Sequence, residues 1–174
     1  GYECRGLNGQ ALQFAINNRG GDHHGYGLPA RIEGYDGTGP DVAGKGELVK
    51  RATIARAICD SVAVCTFARA IYDNPTLVET LSCLSGEVWS VQDIEEVGLR
   101  VMAQERLFNM REGISRSDDT LPDRLLKEPK PDGPAKGNVV PLEELKDQYY
   151  EALGWDAETG NPGDNVLKAL GIEK

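Results

Sequence analysis

Both histidines of the chain, His23 and His24, sit side by side in the stretch NNRGGDHHGYG, residues 17–27, directly after a Gly-Gly step. Imidazole is the side chain whose ordinary pKa lies nearest neutrality, so it suits proton transfer or metal ligation. Glycines let a backbone approach a ligand closely. A second candidate is DSVAVC, residues 60–65, where Asp60 precedes Cys65 at a point that interrupts a helical pattern. A carboxylate at a helix end can accept two N–H groups from a heterocycle such as a pterin, and a loop thiolate can bind iron. One cysteine does not hold a cluster, because the usual set is four, so any partners of Cys65 lie outside these residues. The ordinary alternatives are a surface turn with solvated imidazoles, and a buried thiol in a helix kink with Asp60 as a cap.

Cys4, Cys59, Cys65 and Cys83 are scattered, with no CxxC pair, and they read as buried thiols with at most one metal ligand. Cys83 falls on a regular helix and reads as a small core residue. Glu105, Arg106, Arg111 and Glu112 gather at one helix end, where pairing within the helix is expected. Trp89 and Trp155 are expected to pack in the core, and the Tyr149-Tyr150 pair to be half buried.

These residues need elements to position them, and the spacing predicts helices. GQALQFAINN (9–18) has Leu12, Ala15 and Ile16 at helical spacing and a Gly20-Gly21 stop. Residues 20–46 carry nine glycines and two prolines with little periodicity, which reads as one long loop, usually functional or disordered. From Glu47 a helix resumes with Leu48, Ile54, Ala55 and Ile58, and TFARAIYDN is a short continuation ending at Asn74-Pro75. PTLVETLSCLSG (75–86) has proline at a helix start and glycine at its end. Ser90 caps the longest predicted helix, whose face is Val91, Ile94, Val97, Val101, Met102 and Phe108. The charged, proline-rich stretch 115–137 is expected to wrap the surface, and helices over 141–155 and 165–171 close the chain. Strand alternation is confined to a short NVVPL. The class is all-α, a multihelical domain with long glycine-rich loops.

The 174 residues suit a single domain. The apolar fraction of 40% is enough for a core, while a mean hydropathy of -0.42 and the lack of a long apolar run argue against a membrane span. A net charge of -9 argues against nucleic acid. These totals fit a cytoplasmic protein. The chain begins at Gly1 without a Met, which is expected of a piece of something longer.

RGGDHH, DSVAVCTF, ERLFNMREG, SDDTLPDRLLKEP and PAKGNVVPLEELKDQYYEALGW occur in an order that resembles the tungsten-containing aldehyde:ferredoxin oxidoreductases. GYECRG resembles the segment those enzymes place before an RGGxH-type loop. The likeness runs over essentially the whole chain and corresponds to a carboxy-terminal domain, about the last third of such an enzyme. DSVAVC resembles the second of two DxxGL-type segments that grip a tungsten-bound pair of pterins. The resemblance implies that Asp60 binds a pterin ring, that Val64 stands at the Leu position, and that Ala63 replaces a glycine. It matches Cys65 to the fourth ligand of a [4Fe-4S] cluster, whose other three cysteines belong to a preceding domain. It places His23 near the metal as a catalytic base, with His24 where an apolar residue is usual. Consecutive loop residues rarely aim both side chains at one centre, so the two are expected to diverge.

The implied activity is oxidation of an aldehyde to a carboxylic acid with electrons passed through the cluster to ferredoxin. The implied partners are the preceding domains, ferredoxin and the aldehyde, and this chain alone is expected to be inactive. Two alternatives stay open. One is a reductase of aryl acids or aryl thioesters, with His24 and the loop 25–46 shaping its pocket. The other is a helical interaction domain that has lost the cofactor.

Overall fold

In the computed structural model, residues 3–24, 29–68 and 73–173 are described. Gly1, Tyr2, the Gly25–Leu28 end of the histidine loop and the expected helical continuation through residues 69–72 lie outside them. The helices are α1 (Asn8–Ile16), α2 (Pro29–Asp36), α3 (Lys45–Ser61), α4 (Asn74–Ser85), α5 (Val91–Arg111), α6 (Asp123–Lys127), α7 (Leu142–Leu153) and α8 (Asp164–Ala169). Two-residue strands, β1 (Trp155–Asp156) and β2 (Asn161–Pro162), pair antiparallel with Trp155 opposite Pro162. The all-α expectation therefore holds.

The central element is α3, which packs against α1, α5 and α7. Val49, Thr53, Ile54, Ala57 and Ile58 recur on it at helical spacing and are buried. They meet Leu12 and Ile16 of α1, Ile94 and Met102 of α5, and Leu145 and Tyr149 of α7 in one continuous core. Gly46 permits a close approach, because a Cβ there would overlap the Gln148 carbonyl and stand 2.6 Å from the Tyr149 nitrogen. Only a residue without a side chain lets the start of α3 lie on the backbone of α7.

The ends of the helices follow from local chemistry. Asp73 caps α4 by accepting from the Thr76 N–H at 2.9 Å, and Gly86 closes it in the left-handed region. Ser90 and Asp93 form a reciprocal box at the start of α5, with Asp93 accepting from the Ser90 N–H at 2.7 Å. That pairing holds the Asp93 carboxyl below its ordinary range, first through the Ser90 hydroxyl.

Several expectations are corrected. The 20–46 stretch is not one loop, because Pro29 starts α2 within it. NVVPL forms no strand; Val140 instead donates to the Leu125 carbonyl at 3.0 Å, which ties α6 to the chain ahead of α7. The 115–137 stretch is only partly irregular, since it contains α6 and a short turn at Arg116–Asp118. Tyr149 and Tyr150 are both fully buried, and Tyr150 stacks on Trp155 with centroids 6.4 Å apart. Trp89 is only partly buried at the core's margin. Cys83 is exposed on the outer side of α4, where only Leu77 is buried.

Arg106 reaches outside its helix. Its Nη1 donates to Asp119 at 3.0 Å, its Nη2 stands 2.8 Å from the same carboxylate, and its Nε donates to the Gly160 carbonyl at 2.9 Å. Tyr150 also donates to Asp119. These contacts join α5, the 115–137 segment and the β1–β2 turn around one desolvated charge pair. Burial beside that carboxylate pushes the Tyr150 hydroxyl far above its ordinary range.

The second buried ion pair joins Glu33 of α2 to Lys45 at the start of α3, at 2.8 Å with both side chains enclosed. Removing one partner of such a pair leaves an uncompensated charge and costs on the order of 3–5 kcal/mol. Lys45→Met is therefore expected to lower unfolding stability by about that amount in urea titrations followed by circular dichroism. A loss below about 1 kcal/mol would show that the pair does not constrain the fold.

Candidate functional site

The histidine loop is held by a polar face of α1. Gln10, Gln13 and Asn17 fall at helical spacing and are buried. Gln13 donates to the Asp22 carbonyl at 2.9 Å, Asn17 donates to the same oxygen, and Gln10 donates to Gln13 at 2.5 Å. Gln10 also accepts from the Ala30 N–H at 3.3 Å, so one face of α1 braces both sides of the loop. Buried amides are stable only when they are bonded in this way.

Beyond that anchor, the Asp22 carboxylate accepts from the His24 N–H at 2.8 Å and pairs with Arg19 at 3.0 Å. The backbone bond from His24 first, and then the charge of Arg19, hold the Asp22 carboxyl below its ordinary value. His23 is half-buried and His24 exposed. Their rings lie 4.0 Å apart and tilted by 42°, so the expected divergence of the two side chains does not occur. Both imidazoles stand on one side of the loop.

α3 stops at Ser61 and the chain turns sharply. Val62 donates to the Ile58 carbonyl, Ala63 to Asp60 and Val64 to Cys59, at 3.1, 3.3 and 2.9 Å. Ala63 makes the turn at φ 55°, the one non-glycine residue in the left-handed region among the described residues. An alanine there carries a Cβ clash that glycine lacks. The position marked in the sequence as standing where a glycine belongs is thus the position whose backbone calls for one.

Around that turn the side chains divide by environment. Asp60 is exposed and pairs with Arg56 of its own helix at 3.2 Å. Val64 is half-buried and packs on the core, while the Cys65 thiol is exposed. Cys4 and Cys59 are buried, and burial pushes the Cys4 thiol up to about 11. A thiol so raised stays protonated and inert at neutral pH, which leaves Cys65 better placed to act as a thiolate ligand. Among the described residues no three metal-binding side chains cluster.

The two regions meet at α5. Glu105 faces both Arg19 from the histidine loop and Asp60 from the end of α3. Burial pushes its carboxyl above the ordinary value, against the pull of Arg19. Sequence reasoning assigned Glu105 to charge pairing within its helix and did not single out Glu33, Lys45 or the Gln10–Gln13–Asn17 face. The last was detectable as polar side chains at helical spacing on an otherwise apolar helix.

Residues 1–172 match the family model "Aldehyde ferredoxin oxidoreductase, domains 2 & 3". The chain belongs to the aldehyde ferredoxin oxidoreductase family. Curated relatives include the tungsten-containing aldehyde ferredoxin oxidoreductases of Pyrococcus abyssi, 36% identical, and Pyrococcus furiosus, 34% identical. That of Thermococcus kodakarensis is 35% identical. The matches take in 98–99% of this chain but 29% of each relative, so the chain spans under a third of their length.

Ala63→Gly is expected to stabilise the chain by roughly 0.5–1 kcal/mol, the relieved left-handed strain less glycine's greater unfolded-state entropy. Thermal unfolding should shift up by about 2 °C. A lower melting temperature would mean that the Ala63 side chain contributes packing that outweighs its strain.

Proposed function

We propose that this chain is the carboxy-terminal part of an oxidoreductase that converts aldehydes to carboxylic acids with a tungsten-bis-pterin cofactor and a [4Fe-4S] cluster, passing electrons to ferredoxin. The observation that carries the reading is the Asp60–Cys65 turn. It presents a carboxylate, an apolar side chain and an exposed thiol within six residues at the end of the central helix. The donor set fits the group: Asp60 is accessible and an acceptor, Val64 is apolar, and the Cys65 thiol is exposed.

When bound, the metal–pterin group supplies the two-electron oxidising centre, and the cluster supplies the route by which the electrons leave. The chain's own residues do the rest. The Asp60 carboxylate accepts N–H groups of a pterin ring, and Val64 gives that ring an apolar wall. The Cys65 thiolate ligates one iron, with three further thiolates supplied by preceding domains of the same polypeptide. An aldehyde and water become a carboxylic acid, two electrons and two protons. His23 accepts one of those protons on a ring nitrogen. The Asp22 carbonyl, gripped by Gln13 and Asn17, keeps the imidazole from drifting with the loop. His24, more exposed and packed on His23, bears on substrate range rather than on the proton. In this reading the chain by itself is inactive, because three cluster ligands and most of the cofactor cradle lie elsewhere.

Two measurements on the whole polypeptide check these roles. Cys65→Ser should lower iron content and cluster absorbance, while Cys83→Ser, on the outer side of α4, should leave both intact. Equal iron loss would remove the distinction between them. His23→Ala should lower turnover on the order of a hundred- to ten-thousand-fold with tungsten content unchanged, as expected for loss of a general base. His24→Ala should act mainly on KM. A silent His23→Ala together with an inactive His24→Ala would move the proton acceptor to His24.

A further inference from the structure

Two side chains of α1, Gln10 and Gln13, are fully closed to solvent and stand three residues apart, so they share one face of the helix. The Ala30 N–H, at the start of α2, donates to Gln10 Oε1 at 3.3 Å. Gln10 Nε2 donates to Gln13 Oε1 at 2.5 Å, and Gln13 Nε2 donates to the Asp22 carbonyl at 2.9 Å. A backbone donor begins this relay and a backbone acceptor ends it, so it runs one way only. Neither amide can turn over without setting donor against donor and acceptor against acceptor. The backbone ends thus settle an orientation that side-chain amides by themselves leave open.

Both ends of the relay lead to fixed points. Gln10 is held from α2 a second time, because its own N–H donates to the Glu33 carboxylate at 2.9 Å. Asp22 is the residue before His23, and its carboxylate accepts from the His24 N–H at 2.8 Å. Asn17 reaches the same Asp22 carbonyl, while its side-chain oxygen accepts from the Arg19 N–H at 3.2 Å, within the turn itself. Two apolar side chains would fill the space of the glutamines without the cost of enclosing amides. What Gln10 and Gln13 add is the placement of the two backbone groups they join.

We propose that Gln10 and Gln13 are positioning residues, a directional amide relay that ties the residue before His23 to the start of α2. The relay stands on its own hydrogen bonds; its consequence for turnover rests on the role of His23 proposed above.

The test is hydrogen–deuterium exchange on the whole polypeptide with its cofactors, expressed as protection relative to the free chain at each pH, alongside steady-state kinetics. Gln13→Met keeps the bulk but has no donor for Asp22, and should raise exchange across residues 20–24 roughly two- to tenfold. Gln10→Met should do the same and also raise exchange at the Ala30 N–H, which it leaves unbonded. Exchange in α4, which takes no part, should stay unchanged.

Gln13→Glu reads the direction of the relay. A carboxylate there accepts from Gln10 but has nothing to donate to Asp22, whereas the protonated acid does both. Enclosure and the facing carbonyl raise its pKa above the ordinary carboxylate range. Protection of residues 20–24 in Gln13→Glu is therefore present below that raised pKa and lost as pH rises through it. Gln13→Met stays loosened at every pH. The charged groups at the ends of the relay are Asp22 with Arg19 and Glu33 with Lys45, and beside Asp22 stand His23 and His24. Wild type at the same pH values accounts for their titration.

In the loosened states kcat should fall while KM and tungsten content hold. Unchanged exchange across residues 20–24 in Gln13→Met overturns the relay whatever the kinetics show, and so does protection in Gln13→Glu that follows wild type at every pH. If Gln13→Glu fails to fold, the two methionine variants decide. Raised exchange with undiminished kcat upholds the relay and overturns instead the assignment of His23 as the proton acceptor.

Discussion

The Glu33 carboxylate holds three helices at one point. It accepts from the backbone N–H groups of Gly9 and Gln10 at 2.8 and 2.9 Å, and it pairs with the Lys45 ammonium at 2.8 Å. Those amides belong to the first turn of α1, where unpaired donors and the positive end of the helix dipole favour an anion. A single side chain of α2 thus caps α1 and anchors the first residue of α3. Lys45 in turn donates to the Thr38 carbonyl at 2.6 Å, which closes the loop between α2 and α3. With both charges enclosed, alternative positions of these helices would leave an ion unpaired, at far greater cost than losing a surface salt bridge.

Both parts of the candidate site inherit their places from that tie. α1 carries the amide face that grips the Asp22 carbonyl, so fixing its start fixes the path of the histidine loop. α3 begins at Lys45 and ends at the Asp60–Cys65 turn, so its anchored start and its passage against α7 at Gly46 set where the turn emerges. α5 spans the distance between them, touching Asn18 from one side and, at Gly98, the Ile54 backbone of α3 from another. A rigid core with chemistry at loops on its margin is a common way for a helical domain to contribute to a site shared with other domains.

What could be read from the sequence follows the reach of its signals. Capping at Ser90 and the proline and glycine that bracket α4 are local patterns, and the structure reproduces them. Of the stripe expected on α3, Ile54 and Ile58 are buried while Leu48 and Ala55 are half-buried, because the face is turned toward Val49, Thr53 and Ala57. The Asp60–Cys65 motif stood out through family resemblance, and the unusual backbone of Ala63 gives that resemblance a physical counterpart. α2 stayed hidden because it is short, polar and surrounded by glycines, so no period announces it. Glu33 was invisible for a stronger reason: its partners lie 24 and 23 residues away on α1, and a buried carboxylate looks like an exposed one in a list of residues. The same holds for Arg106, whose partner Asp119 lies in a segment with no periodic pattern. Cys83 shows the opposite failure, since a plausible helical position placed a small apolar side chain outside rather than in.

The central claim is that the loop bearing His23 and the turn from Asp60 to Cys65 belong to one metal–pterin and iron–sulfur centre. Anomalous diffraction from crystals of the whole polypeptide, recorded at the iron and tungsten edges, tests it most directly. The account predicts an iron peak within bonding distance of the Cys65 Sγ and a tungsten peak on the side of the domain where Asp60 and His23 stand. Iron or tungsten peaks remote from both segments, with Cys65 unligated, would contradict it.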